Sequence, residues 1–457
     1  MLKRIAIALA LLIATPFVPA ASLSSNIDQH AAPFVDSKRL VSLSVGVIKD
    51  GKTTVRNYGS LSLKDKTKPD IDTFYEIGSV TKVFTTTLLS DMVKRGKVTL
   101  DQPVEQLLDD RFEIPQFKKR KITLRDLATH QSALPRMPHN FAPKDPKNPY
   151  ATYSELRLIV GLAETKLKRS PGEKYAYSNL GMGLLGHALS KKAGKPYEQL
   201  IIDRIVKPLG MKDTKITFAK ADRPRIATGY DAAHNEWPNW DLNSLSAAGA
   251  IRSTVRDMLR FVDANLKLDT KAPINDAMKL TQTRQAGTGM GSIALGWHIA
   301  RDGTTYWHNG QTGGYHSYIA FNRKFNIGVV VFATGNVNMI DAMGEKLVVM
   351  LAGGKPTPVG FQKAVQVNAK DLERYVGKYQ LQPGFIFTIT RKDNHLFAQL
   401  TGQPAIEIYP SGEHKFFYKV VKAKITFVVD NNGKVTTLIL HQHGRDMPSK
   451  RIETQKK

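Results

Sequence analysis

The chain has no cysteine in 457 residues. That absence excludes a disulfide framework, a thiolate zinc site, an iron–sulfur cluster, a cysteine nucleophile and a lipid-modified N-terminal cysteine. Acidic side chains are scarce beside basic ones: 40 Asp and Glu against 66 Lys and Arg leave a formal charge of +26. Membrane-length apolar runs are also missing. The apolar run Ile5 to Ile13 is too short to cross a bilayer. It follows Lys3 and Arg4 and precedes Val18-Pro19-Ala20, the layout of a secretory signal cut before Ala21. Residues 1–20 are therefore expected to be a signal peptide. The remainder would be exported, periplasmic or secreted from a bacterium, with no transmembrane segment after cleavage. An apolar fraction of 42% is that of a globular protein. The length exceeds what one core usually organises, so a large domain and a smaller one are expected.

The charge is not a tail: from Gly360 onward 16 basic side chains accompany 8 acidic ones. A dispersed positive field favours an anionic cell-envelope surface as partner, and it equally suits a lysine-rich surface that only serves solubility. Nucleic acid is not expected, because the chain reads as exported and carries no nucleic-acid motif in the right context.

Along the chain, Leu40 to Ile48 and Thr53 to Tyr58 flank Asp50-Gly51 and read as a β-hairpin. A helix follows from Ser79 to near Gly96, and residues 133–150 form a Pro- and Asn-rich loop. Tyr153 to Val206 reads as mainly helical, and Thr254 caps another helix to Leu266. Strands are expected at Tyr306 to His308, Tyr315 to Phe321 and Ile327 to Ala333, then a helix from Met339 to Leu351. Strands at both ends with helices between them indicate an α/β unit of the α+β kind with an antiparallel sheet. A Gly-Pro linker, residues 354–360, closes the 21–353 domain. Residues 361–457 then show six short alternating segments with turn punctuation, an all-β barrel or sandwich.

Three segments hold candidate chemistry. Ser79-Val80-Thr81-Lys82 places an amine one helical turn from a hydroxyl, and a serine needs such a base to act as a nucleophile. Tyr177-Ser178-Asn179 offers a phenol, which a nearby ammonium would make more acidic, and a carboxamide suited to a substrate amide. His308-Asn309-Gly310 ends a strand, and the N–H of the next residue, Gln311, would pair with that of Ser79 as an oxyanion hole. Each segment alone is commonplace. The glycine pattern Gly181 to Gly186 is read as close helix packing, and His441 and His443 lack a third metal ligand. His130 and His316 are read as structural.

In this order the three segments resemble the serine β-lactamase and penicillin-binding protein superfamily. Phe74 to Lys82, Leu127 to Pro135, Tyr177 to Gly181 and Pro208 to Thr214 are similar to the class C β-lactamase-related branch, and most to the AmpH-type peptidoglycan peptidases. The likeness spans about Leu40 to Gly353, and the C-terminal segment resembles an appended lipocalin-like domain. The resemblance implies a β-lactamase/transpeptidase-like fold with a helical subdomain. It implies an acylated Ser79, proton transfer by Lys82 and Tyr177, and substrate binding by Asn179, His308, Asn309, Gly310 and Gln311. It implies no metal and no cofactor. His308 stands where many members have lysine. Carboxylate-bearing substrates would then be turned over better as pH falls through the histidine range. The expected substrates are peptidoglycan-derived peptides or β-lactams; a small-ester carboxylesterase and a non-catalytic cell-wall or penicillin binder remain alternatives.

Overall fold

The computed structural model describes residues 22–268, 273–288, 291–335, 339–362, 364–419, 421, 423–442 and 444–452. The expected signal peptide and His443 lie outside the described residues.

Helix α1 (Leu23–Asp36) starts at Ser22, whose hydroxyl accepts from the Ser25 N–H. It buries Ile27, Ala31 and Phe34, which recur at helical spacing on one side. The expected hairpin follows as β1 (Ser42–Lys49) and β2 (Lys52–Gly59). Next come β3 (Tyr75–Glu76), α2 (Thr81–Lys94), α3 (Leu124–Ala128), α4 (Glu155–Ala163), α5 (Asn179–Ala193) and α6 (Tyr197–Ile201). They lead through β4 (Gly229–Tyr230), β5 (Glu236–Trp237) and β6 (Arg252–Ser253) to α7 (Val255–Leu266), capped by Thr254 as expected, and α8 (Pro273–Thr281). Strands β7 (Ala286–Thr288), β8 (Gly291–Ile293), β9 (His298–Ile299), β10 (Thr305–Gln311), β11 (Tyr315–Asn322) and β12 (Ile327–Thr334) precede α9 (Met339–Leu351).

Eight strands form one antiparallel sheet in the order β2-β1-β12-β11-β10-β9-β8-β7. Strands from both ends of the segment thus become neighbours, β1 pairing with β12 one strand in from the β2 edge. Helices α1 and α9 cover one face with Phe34, Ile340, Met343 and Leu347. Helix α7 lies against the other, and α2 is buried behind it. A Cβ on Gly46 would come within 2.6 Å of Val255, and one on Gly328 within 2.4 Å of Val262. These glycines let α7 approach the strands closely.

The stretch expected to be helical from Tyr153 to Val206 is interrupted. Residues 164–178 are irregular and run beside the 130–136 loop. Their backbones are tied by Gly172 N to Gln131 O (2.8 Å) and Ala176 N to His130 O (2.7 Å). Helix α4 has already ended at Ala163, well before Pro171-Gly172, and the proline then keeps the helix from resuming there.

The C-terminal segment enters through α10 (Ala369–Leu372) and forms a closed eight-stranded barrel. Its strands are β13 (Gly377–Gln382), β14 (Phe385–Lys392), β15 (His395–Leu400), β16 (Ile406–Gly412), β17 (Lys415–Tyr418), β18 (Ala423–Val429), β19 (Val435–Gln442) and β20 (Arg445–Ile452). They neighbour one another in chain order, and β20 closes on β13. Six of these strands follow the alternation in the sequence. The other two, β16 and β20, contain Pro410 and Pro448, which mimic turn signals. A register shift between Pro410 and Gly412 accommodates the first.

Candidate active site

The segment leading to Ser79 is pinned from both sides. Strand β3 pairs with β6, and Ile77 N donates to Ile251 O at 3.0 Å. Gly78 has φ +49°, and a Cβ there would meet Gln311 N at 2.6 Å, so only glycine lets this turn sit against β10. A tight turn over residues 78–80 then runs into α2. Between Thr73 and Met92 every side chain is buried except Ser79, which is half-buried. From Thr73 to Met92 the Ser79 hydroxyl is the one polar side-chain group offered to solvent.

Lys82 is fully buried beneath it. Its Nζ lies 2.9 Å from Ser79 Oγ and donates to Ala248 O at 2.6 Å. Burial without a carboxylate holds the amine well below the ordinary lysine range, so its neutral form is available to accept a proton. The Ala248 carbonyl is presented by the 243–248 turn, which packs against α5. A Cβ on Gly183 would lie 2.4 Å from Leu245, and one on Gly186 would lie 2.0 Å from Ala247. The glycine pattern therefore serves close packing, as expected, and that packing sets the partner of Lys82.

Tyr177 and Asn179 arrive on the irregular strand and the first turn of α5. Ser178 caps α5: its hydroxyl accepts from Gly181 N (2.8 Å) and donates to Pro135 O (2.7 Å). Lys82 Nζ, 2.9 Å from Ser79 Oγ, lies 4.7 Å from the centre of the Tyr177 ring, which sets the phenol beside the same pair. Burial raises the phenol above its ordinary value, opposite to the lowering expected from a neighbouring ammonium. Desolvation outweighs the cation here, and the same burial shifts the amine toward its neutral form. Asn179 places Nδ2 3.6 Å from Met137 Sδ, while its buried Oδ1 has no partner.

Three imidazoles close the floor. The His130 ring packs tilted against that of Tyr177, centres 4.4 Å apart, and accepts the Ser178 N–H at Nδ1 (3.1 Å). His308 is fully buried; its Nδ1 donates to Asn309 O at 2.6 Å, and its Nε2 has no partner. His298 lies 5.2 Å from His308 and stacks on Trp307. Burial pushes His298 down to about 4 and holds His130 and His308 well below the ordinary imidazole value.

The structure brings together Ser79, Lys82 and Tyr177, with Gly310 and Gln311 beside them. A Cβ on Gly310 would lie 1.9 Å from Ile77 O, so β10 abuts the nucleophile segment directly. Asn309 points elsewhere: its Nδ2 donates to Asp341 Oδ2 on α9 at 2.7 Å, and His316 Nε2 reaches Asp341 Oδ1 at 2.9 Å. On a strand, successive side chains take opposite faces, which separates Asn309 from His308. His441, discounted as a metal ligand, has Asp446 on Nδ1 (2.6 Å) and Thr426 on Nε2 (2.9 Å).

Sequence reasoning passed over His298, Arg136 and the Ala248 carbonyl. It took His130 as purely structural, although its ring supports Tyr177. The chain order of Leu127 to Pro135 and Tyr177 to Gly181 could have paired His130 with Tyr177; a backbone carbonyl leaves no such trace.

The protein family described as Beta-lactamase matches residues 27–352, and a domain of unknown function (DUF3471) matches residues 362–455. The chain is 30% identical over 365 residues to the D-alanyl-D-alanine-carboxypeptidase/endopeptidase AmpH of Escherichia coli K12, covering 75% of this chain and 93% of the relative. It is 26% identical to a beta-lactamase of Pseudomonas fluorescens over 69% of this chain and 95% of that one. Among solved structures, the beta-lactamase/D-alanine carboxypeptidase of Yersinia pestis, complexed with citrate, superposes with a TM-score of 0.62 at 27% identity, over 72% of this chain and 98% of that one. With its serine, buried lysine and tyrosine in mutual reach, the chain belongs to the Beta-lactamase family and is a serine hydrolase.

Proposed function

We propose that the protein acylates Ser79 with D-amino-acid-containing cell-wall peptides, as a DD-carboxypeptidase or endopeptidase, or with β-lactams. The observation that carries this reading is the buried Lys82 amine 2.9 Å from the half-buried Ser79 hydroxyl. The relatives' names, a D-alanyl-D-alanine carboxypeptidase/endopeptidase and beta-lactamases, support the substrate class.

The neutral Lys82 amine takes the Ser79 proton as Oγ bonds to the substrate carbonyl carbon. The tetrahedral oxyanion forms beside the N–H groups of Ser79 and Gln311, which the close approach of Gly78 to Gln311 brings into neighbouring positions. The C–N bond then breaks. Tyr177, protonated because of its burial, gives its proton to the leaving amine and recovers one from Lys82. Water attacks the ester, losing a proton to the same groups, and the acid leaves with Ser79 restored. Asn179 Oδ1, buried without a partner, is an acceptor for a substrate N–H.

The first 20 residues act as the export signal, and the enzyme works in the periplasm or outside the cell. Among the described residues no helix is long and apolar enough to cross a membrane. Residues 21–353 form the hydrolase domain, 354–360 the linker and 361–457 a lipocalin-like domain; the closed barrel supports the last assignment. The charge of +26 suits an anionic envelope surface. The test is labelling with a fluorescent penicillin: the native protein is labelled, and Ser79→Ala is not. A second reading, a small-ester carboxylesterase, is favoured by one observation: His308 is buried and uncharged where a carboxylate-binding lysine stands in many members. Hydrolysis of p-nitrophenyl butyrate without penicillin labelling would select it.

A further inference from the structure

The site holds several nitrogen bases, yet few of them carry charge. Lys82, His130, His298 and His308 are all buried, and burial shifts each toward its neutral form. A substrate carrying a carboxylate beside its scissile bond therefore meets no cation on the β10 side of the nucleophile.

Arg136 supplies one from the opposite side. It is exposed, and its guanidinium carbon lies 4.9 Å from the centre of the Tyr177 ring. Lys82 Nζ, in contact with the Ser79 hydroxyl, lies 4.7 Å from the centre of the same ring, so one aromatic ring separates the guanidinium from the Ser79–Lys82 pair. Among the described residues it has no carboxylate partner, whereas Arg56, Arg111, Arg125, Arg225 and Arg256 are each held by an Asp. Its base is fixed although its head is exposed. The Arg136 carbonyl accepts from Asn179 N (2.9 Å) and Leu180 N (3.3 Å), and the preceding Pro135 carbonyl accepts from the Ser178 hydroxyl (2.7 Å). Loop and α5 therefore move as one body with Asn179 and Tyr177.

We infer that Arg136 is the specificity-determining residue for a free carboxylate on the leaving group, transferring anion recognition from the strand at His308 to the 130–136 loop. A guanidinium keeps its charge throughout an enzyme's working range and can take a carboxylate with two parallel hydrogen bonds. In a peptide ending in a free α-carboxylate, that group lies a few bonds beyond the carbonyl attacked by Ser79. A ligand held there closes over the Tyr177 face, where a cation and a ring already meet. The favoured substrates are thus peptides cleaved at their terminal residue. The inference rests on the Ser79 hydrolase reading and narrows its substrate.

The test compares one N-acylated D-Ala-D-Ala peptide as the free acid and as its C-terminal amide, in the native protein, Arg136→Lys and Arg136→Gln. The native protein should prefer the acid. In Arg136→Gln the acid-to-amide ratio of kcat/KM should fall about tenfold or more, as expected for a lost charged hydrogen bond, with the change carried by KM. Arg136→Lys should recover part of that ratio. An equal loss on acid and amide, carried by kcat, would mean that Arg136 acts through Tyr177 and would overturn the inference. An unchanged ratio, or no native preference for the acid, overturns it as well. Ser79-dependent hydrolysis of p-nitrophenyl butyrate, measured on the same samples, separates the two failures. If it persists while the ratio is flat, the hydrolase reading stands and the carboxylate assignment falls; if all Ser79-dependent turnover is absent, both fall.

Discussion

The two parts of the chain bury different things. The barrel core is an apolar and aromatic cluster of residues such as Tyr379, Phe387, Ile425 and Leu438, and Ser449 is its only fully buried polar residue among those described. Its described histidines lie toward the surface and meet partners there, as in the pairs His395–Glu407 and His441–Asp446. The larger part buries Lys82, His130, His308, Glu76 and a row of threonines on α2. Some of these are satisfied: Thr85 and Thr86 donate to the Ala247 and Leu295 carbonyls. Others keep an orphan atom, as with Nε2 of His130 and of His308 and Oδ1 of Asn179. A buried group without a partner costs stability, so such groups persist where something else is to meet them. The Ser449 hydroxyl of the barrel also lacks a partner, so the contrast lies in the larger part's gathering of buried ionisable groups around Ser79.

The sharpest way to break that contrast is at the nucleophile. Ser79→Ala should lower kcat/KM by roughly 10³-fold or more, measured on any substrate the native protein turns over. Lys82→Ala should follow at roughly 10²- to 10⁴-fold, the usual loss for a general base, with the melting temperature nearly unchanged. Retention of full activity by this variant would remove Lys82 from the mechanism. Gly186→Ala forces a Cβ to within 2.0 Å of Ala247. It should destabilise by about 1–3 kcal/mol in denaturant melts and also slow acylation, because the displaced turn carries Ala248 O away from Lys82. Ile425→Ala, at the centre of the barrel core, should cost about 2–5 kcal/mol in barrel unfolding yet leave hydrolysis unchanged. If it abolished activity, the two parts would be mechanistically inseparable.

The pH dependence sharpens the same point. As the proposed base, Lys82 must be unprotonated to act, and burial holds it well below its ordinary 10.5. Activity should therefore rise with pH through that lowered value and be lost on the acid side of it. The rising limb of a kcat/KM profile is expected well below 10.5, and Lys82→Ala should abolish it. Folding is linked in the same direction. The unfolded chain binds the Lys82 proton up to its ordinary value, so this group's contribution to stability grows as pH rises toward it.

Much of this was legible in the residues themselves. The hairpin at Asp50-Gly51, the Thr254 cap and the helix from Met339 follow from local turn and capping chemistry. The Ser79–Lys82 pair follows from helical spacing alone. What the sequence hid depends on non-local geometry. Strands β7 to β9 are short pieces that owe their pairing to the sheet edge. The 164–178 stretch is irregular, and its backbone is tied to the 130–136 loop at Gly172 and Ala176. Helix α1 was overlooked although Ile27, Ala31 and Phe34 carry its period, because Pro33 and the polar first turn dilute the signal. The side-chain direction of Asn309 depends on its α9 partner, Asp341, which no motif announces. Nor does the sequence reveal that desolvation, rather than charge, sets the state of Tyr177.

The central claim is a covalent bond between Ser79 and its substrate. Intact-mass analysis after incubation with a penicillin and with purified muropeptides, followed by peptide mapping, tests it most directly. The account predicts an adduct of the acyl group's mass on the peptide containing Ser79, absent from Ser79→Ala. Hydrolysis that persists in Ser79→Ala, or an adduct mapped to any other residue, would contradict it.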